Sequence, residues 1–366
     1  MPLNKLIAGL SLDDVGGETS RPGSAAPSAP ALGKQGSFDI SGTDTFNATD
    51  IKIKGGSGLA NKPEASDGVV LSDLIREKPL GRGATGRVVL MKHRQTGELF
   101  ALKELDALAS HDARHQASNE LRIAHKHATL CDNLVSLKDA YFVDGKICIL
   151  MEFCDGGSLA DAFEHARANP PSNPSKGLPL GAFILQLCHG LRYMHNEMKQ
   201  VHRDLKPANA LLTGTGVLKL SDFGISKQLD STGALAMTQV GSTAYMSPER
   251  LQGDEYGFAS DVWSVGVIAL ESLLGEHPFP ASKYKSFMSL FGAVTKGELP
   301  KPPEGTPEPL CTFLQQCLRV KPSERPPVED LISKGWLASV GEPRQPVMQW
   351  LMKAAAKRLA QKIIDA

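Results

Sequence analysis

Cysteine is scarce in this chain: 6 in 366 residues, at Cys131, Cys148, Cys154, Cys188, Cys311 and Cys317. They form no CxxC pair and no framework spacing, which excludes a disulfide scaffold and reads as the reduced thiols of an intracellular protein. An excess of charge is also missing, with 40 Lys+Arg against 40 Asp+Glu. Without a net field, binding to nucleic acid or anionic lipid needs a local patch, and the sequence displays none. No uninterrupted apolar run approaches the length that spans a bilayer, and the stretch Met1–Leu10 is too short for a secretory h-region and soon meets Asp13 and Asp14. Pro2 stands where N-myristoylation requires glycine. Together these absences predict a soluble, cytoplasmic protein with no nucleic-acid partner and no membrane insertion. Aromatics are few, at 6%, while hydrophobic residues make up 41%, which suits one large two-lobed domain with tails.

Residues 1–68 are rich in Gly, Ser, Pro, Ala, Thr and Asp with little periodic apolar pattern, and are expected to be a mostly disordered tail. From Val69 to about 155 the pattern is that of a β-rich small lobe. Strands are predicted over Leu80–Leu90 and Leu99–Leu105, with a turn at Gln95-Thr-Gly97, then over Asn133–Phe142 and Lys146–Phe153 around Asp144-Gly145. Ala113–Lys126 is predicted to be a helix. Over 156–338 the chain turns mainly helical, with helices over Leu159–Ala168, Leu180–Asn196, Ser260–Leu274, Lys283–Thr295, Pro309–Leu318 and Val328–Ile332. A C-terminal extension, 339–366, holds a predicted amphipathic helix over Val347–Ile364, with Val347, Leu351, Ala355, Leu359 and Ile363 at four-residue spacing. The fold class is therefore α+β, a bilobed domain.

Gly81-Arg82-Gly83-Ala84-Thr85-Gly86-Arg-Val88 fits GxGxxGxV between two predicted strands, where missing side chains let backbone N–H groups approach phosphate oxygens. By itself this is a weak signal, since such a run is more often a Gly-rich hairpin turn. A dinucleotide-binding fold requires the third glycine to open a helix, whereas Val88-Val89-Leu90 continues as a strand. Lys103 lies on the next buried-looking strand, where a lysine is costly unless it meets anions; the plainer alternative is an edge lysine reaching to water. Glu120 on the following helix is placed to pair with it. The strong signal is Val201-His202-Arg203-Asp204-Leu-Lys206-Pro-Ala-Asn209 followed, after a short hairpin, by Ser221-Asp222-Phe223-Gly224. Phosphoryl transfer has a loose transition state, so its site must position groups and neutralise charge. The run is similar to the protein-kinase catalytic loop, and that resemblance implies that Asp204 accepts the substrate hydroxyl proton, Asn209 and Asp222 hold Mg²⁺, Lys206 neutralises the moving γ-phosphate and Lys103 faces the α and β phosphates of ATP.

These motifs resemble the protein kinase superfamily from about Leu74 to Leu337. Met246-Ser-Pro-Glu249 stands where the family has Ala-Pro-Glu, Asp261 matches the aspartate that braces the catalytic loop, and Arg325 matches the partner of Glu249. Lys206 two residues after Asp204 is the serine/threonine version of the loop. The resemblance implies an ATP site made of Leu80, Gly81, Arg82, Gly83, Ala84, Thr85, Gly86, Val88, Ala101, Lys103, Glu120, Met151, Glu152, Cys154 and Leu211. Within it Met151 is the gatekeeper, and Glu152 and Cys154 offer backbone groups to adenine. His202, Arg203, Phe223 and Gly224 take structural roles. Met151-Glu-Phe-Cys-Asp-Gly-Gly-Ser-Leu159 and Gly241-Ser-Thr-Ala-Tyr-Met-Ser-Pro-Glu-Arg-Leu251 are similar to the MAP kinase kinases. That narrower resemblance implies dual-specificity phosphorylation of a downstream MAP kinase, and an upstream MAP kinase kinase kinase acting on Thr232 and Thr238, with Arg203 as the partner of the added phosphate.

Three departures accompany the resemblance, one of them Ala84-Thr85 at the Gly-rich tip, which lacks an aromatic lid. Ala124 is small where many kinases place a larger apolar residue, and the basic docking motif is reduced to Lys5 ahead of Leu6, Ile7, Leu10 and Leu12. The rival readings are a pseudokinase scaffold, against which all of Lys103, Glu120, Asp204, Asn209 and Asp222 are present, and a serine/threonine kinase of another tier.

Overall fold

The computed structural model describes residues 39–41, 45–48, 51–54, 58–59, 69–83, 86–106, 130–170, 179–222 and 243–364. Glu120, Phe223, Gly224, Thr232, Thr238, Ala84, Thr85 and the helix expected over Ala113–Lys126 lie outside them.

The small lobe is a five-stranded antiparallel sheet built from β5 (Leu74–Gly83), β6 (Gly86–His93), β7 (Leu99–Asp106), β8 (Leu137–Val143) and β9 (Lys146–Glu152), in the order β5-β6-β7-β9-β8. The β8–β9 turn is tight because Asp144 and Gly145 both take positive φ, 51° and 72°, the backbone that an Asp-Gly pair tolerates in a two-residue hairpin loop. Alternation then sorts the side chains. Val89, Met91, Phe100, Leu102, Tyr141, Cys148 and Leu150 gather into one buried cluster on one face. Lys103, opposite Val88 in the register, alternates with Leu102 and so belongs to the other face, which carries the site. The strand expected from Asn133 begins instead at Leu137. Asn133 and Val135 bond to Leu220 of the large lobe, Leu220 N donating to Asn133 O and Val135 N to Leu220 O at 2.9 Å each.

The large lobe forms around α2 (Leu180–Asn196) and α4 (Phe258–Leu274), whose side chains are buried along most of their lengths. Before them runs α1 (Leu159–Ala168), started by a capping box in which Ser158 Oγ accepts from Asp161 N at 3.2 Å and Asp161 Oδ2 accepts from Ser158 N at 2.8 Å. The remaining helices are α3 (Pro248–Gln252), α5 (Phe287–Lys296), α6 (Glu308–Cys317), α7 (Val328–Ser333), α8 (Gly335–Ala338) and α9 (Arg344–Ile364). Gly266 lets α6 cross α4 closely, since a Cβ there would stand 2.7 Å from Cys317 Cβ and 2.8 Å from Leu318 Cγ. A small sheet is formed by β10 (Gly157–Ser158), β11 (Ala210–Leu212) and β12 (Leu218–Leu220), with Asn209 just before β11 and Asp222 two residues after β12.

Two terminal segments differ from the sequence expectation. Within the stretch read as a mostly disordered tail, β1 (Asp39–Ser41), β2 (Thr45–Ala48), β3 (Ile51–Lys54) and β4 (Gly58–Leu59) form a four-stranded antiparallel meander. Its register sets Ile40, Phe46, Ile53 and Leu59 in one cross-strand row; Ile53 is 0% exposed, and β3 and β4 pack along β8. At the other end the C-terminal helix starts at Arg344, before the expected Val347, because the Glu342 carboxylate accepts from Arg344 N at 2.8 Å and from Gln345 N at 2.9 Å. Val347 and Ala354 are buried, and Trp350 meets the rings of His165 and Phe183 edge-on at 5.7 and 6.2 Å.

Candidate active site

The site stands on backbone held from behind. Asp261, buried near the start of α4, accepts from His202 N at 2.9 Å through Oδ2 and from Arg203 N at 3.1 Å through Oδ1. This fixes the loop before Asp204 while Arg203 takes a left-handed φ of 71°. Burial alone would raise the Asp261 carboxyl, but hydrogen bonds from His195 and from the loop bring it below its ordinary value, so the brace stays ionised. His195, at the end of α2, completes the brace with Nε2 2.8 Å from Asp261 Oδ2 and its ring stacked on Phe258 at 4.5 Å. Sequence reasoning found Asp261 and missed His195, which belongs to no short motif and meets its partner only through the fold.

In front of this brace, Asp204 Oδ2 accepts from Lys206 Nζ at 2.8 Å and from Asn209 Nδ2 at 2.9 Å, and the same Asn209 nitrogen donates to Asp204 O at 2.8 Å. Asn209 ends a 3₁₀ turn, Pro207–Asn209, and Ser221 N donates to its carbonyl at 2.9 Å. Asp222 therefore sits across the β11–β12 hairpin from Asn209, with a φ of 58°. Lys103, 3% exposed, reaches from the small lobe to donate to Asp222 Oδ1 at 2.6 Å. The buried ammonium thus meets a carboxylate, which offsets the cost of burying it.

The residues expected to wall the nucleotide come from both lobes: Leu80 and Gly81 on β5, Gly86 and Val88 on β6, Ala101 opposite Met151 on β7 and β9, and Leu211 on β11. Arg82 and Gly83 close β5. The Glu152 carboxylate is spent elsewhere, accepting from Ser136 N at 2.7 Å and pairing with Lys219 Nζ at 2.8 Å. Burial pushes the Cys154 thiol up to about 12, so it is no nucleophile at neutral pH.

Below the site the Met246-Ser-Pro-Glu249 turn is locked to the lobe. Arg325 holds Glu249 with a fork, Nη1 to Oε1 and Nη2 to Oε2, both at 2.8 Å, while Ser260 Oγ donates to Oε1 at 2.6 Å. Burial opposes ionisation of Glu249, yet Arg325 and Ser260 hold its carboxyl down at about 2. Arg250 Nη1 donates to the Arg203 carbonyl, and both guanidinium groups lie over the Tyr256 ring, at 5.4 and 5.7 Å. No spacing in the sequence announces that contact.

Asp204, Lys206, Asn209, Asp222 and Lys103 are thus brought together. The sequence matches the protein kinase domain family over residues 74–337. Mitogen-activated protein kinase kinase 2 of Arabidopsis thaliana is 36% identical over 278 residues, covering 75% of this chain and 74% of that protein. Mitogen-activated protein kinase kinase SIPKK of Nicotiana tabacum is 34% identical over 267 residues, 72% of each chain. Mitogen-activated protein kinase kinase 1c of Physcomitrium patens is 32% identical over 319 residues, 83% of this chain and 90% of the relative. With its ordered set of site residues and these relatives, the chain belongs to the protein kinase family and, within it, to the MAP kinase kinases.

Proposed function

We propose that the protein transfers the γ-phosphoryl group of Mg²⁺-bound ATP to a Thr and a Tyr in the activation loop of a downstream MAP kinase. Its own switch is phosphorylation of Thr232 and Thr238 by an upstream MAP kinase kinase kinase, in the cytoplasm. The observation that carries this reading is the cluster of Asp204, Lys206 and Asn209 facing Lys103 and Asp222.

The residues fit the metal. Asn209 spends its amide nitrogen on Asp204, which leaves its oxygen as the available donor, and the Asp222 carboxylate is 40% exposed. Two oxygen ligands beside a polyphosphate are what Mg²⁺ takes, and when bound it would offset the negative charge on the phosphate oxygens. Lys103 holds the α and β phosphates, and Glu120, in this proposal, holds Lys103. Asp204 orients the acceptor hydroxyl and takes its proton as the new O–P bond forms and the bond from Pγ to the bridging oxygen of ADP breaks. Lys206 stabilises the charge on the moving phosphoryl group.

Kinase-dead MAP kinases, incubated one by one with the protein and Mg²⁺-ATP and read by mass spectrometry, test the reading and name the substrate. Phosphate on both the Thr and the Tyr of one activation loop is expected. Phosphate confined to serines elsewhere, or none on any panel member, would overturn it.

A further inference from the structure

The β11–β12 hairpin bears the two metal-binding residues at its open end. Asn209 immediately precedes β11, Asp222 follows two residues after β12, and Ser221 ties them through its N (2.9 Å) and Oγ (3.2 Å) to Asn209 O. The closed end, Thr213–Val217, is held by parts of the fold that the chemistry does not use. Gln186 on α2, 1% exposed, donates Nε2 to Gly216 O at 3.0 Å and accepts from Leu218 N at 2.9 Å. Gly216 has a φ of +85°, and a Cβ there would lie 2.2 Å from Arg344 O and 2.8 Å from Met348 N. The first turn of α9 therefore rests main chain against main chain on this turn, a contact that glycine permits. Val347, in the same helical turn, is fully buried in the large-lobe core. The strands are three residues each, so the hairpin is a lever of about 10 Å. The turn thus lies one short strand length from both Asn209 and Asp222.

We infer that Gln186, Gly216 and the start of α9 are positioning elements of the phosphotransfer site: by gripping the closed end they set the tilt of the hairpin, and with it where Asn209 and Asp222 stand against Asp204 and Lys103. The inference rests on the proposed reading of Asn209 and Asp222 as metal ligands. It gives the C-terminal extension a role inside the catalytic unit, separate from any partner it recruits. Because Gln186 also lies 3.4 Å from Asn133 Nδ2 and Arg344 pairs with Asp132 at 2.5 Å, the same grip reaches the chain that enters β8.

The test uses the full chain and calorimetric binding of ADP, with Mg²⁺ and with a chelator, so that no turnover is needed. Wild type is compared with Gly216→Ala, Gln186→Met and Val347→Ala, and with Val294→Ala, which opens a cavity in α5 away from the hairpin. The gain in ADP affinity on adding Mg²⁺ should fall by about threefold to tenfold in Gly216→Ala and Gln186→Met, less in Val347→Ala and not in Val294→Ala, with chelator affinities equal to wild type. An unchanged Mg²⁺ gain in the first two despite a lowered Tm, or an equal loss in Val294→Ala, would overturn the inference. If Gly216→Ala does not melt cooperatively, Gln186→Met and Val347→Ala decide. A wild type whose ADP affinity ignores Mg²⁺ would overturn the metal reading itself, and the inference with it.

Discussion

Lys103 Nζ lies 2.6 Å from Asp222 Oδ1, although 119 positions separate the two residues, and this contact joins the small lobe to the hairpin of the large one. Burying a lysine is costly unless it meets an anion, and the Asp222 carboxylate supplies one.

Replacing Lys103 by an apolar side chain of similar length separates its packing from its charge. Lys103→Met should melt near wild type, because the methionine fills the space, while phosphotransfer falls at least about a hundredfold through loss of the phosphate clamp. Circular dichroism and a radiolabelled phosphotransfer assay check this; activity near wild type would remove Lys103 from the site.

The Glu249–Arg325 fork carries a stability prediction. Removing one partner of a buried pair strands the other charge, so Arg325→Ala should lose about 3–5 kcal/mol, read by urea unfolding. The pair also predicts acid sensitivity. Glu249 in the folded chain titrates at about 2, below the ordinary carboxylate range of the unfolded chain. Its contribution is therefore present above the unfolded pKa and lost as pH falls through the folded one. Between about pH 5 and 2, Glu249→Gln should show a shallower decline of stability than wild type.

The N-terminal meander belongs to the stable unit. Ile53, fully buried in the sheet that packs along β8, should cost about 2–5 kcal/mol on truncation to alanine. A thermal melt indistinguishable from wild type would show the meander to be dispensable.

The proposed switch is tested by Thr232→Ala, Thr238→Ala and the double aspartate form, each treated with phosphatase before exposure to an upstream kinase. Thr238→Ala should resist activation more than Thr232→Ala, and the double aspartate form should be the most active without it. Equal activity across all forms would locate the switch elsewhere.

Residues close in sequence made much of this legible. The catalytic loop packs Asp204, Lys206 and Asn209 into six positions, and its geometry follows from a single turn, so spacing alone pointed to the cluster. The boundaries of α1 and α2 also follow from local signals, a capping box at Ser158 and a proline ahead of Leu180. Contacts made only by folding were invisible: His195 on Asp261, Arg250 and Arg203 on Tyr256, and Gly216 under Arg344 join residues whose types serve many roles. The meander escaped for another reason. Its strands are two to four residues long in a Gly- and Ser-rich segment, and the apolar row from Ile40 to Leu59 exists only once the register is set.

One measurement tests the central claim most directly: single-turnover phosphorylation of a kinase-dead MAP kinase by activated wild type and Asp204→Ala, with the modified residues located by mass spectrometry and ATP affinity measured in parallel. Wild type should modify the Thr and the Tyr of one activation loop. Asp204→Ala should be slower by about 10² to 10⁴-fold, as expected for a positioned proton acceptor, with ATP affinity changed little. An unchanged single-turnover rate in Asp204→Ala, or a loss explained wholly by weaker ATP binding, would contradict the account.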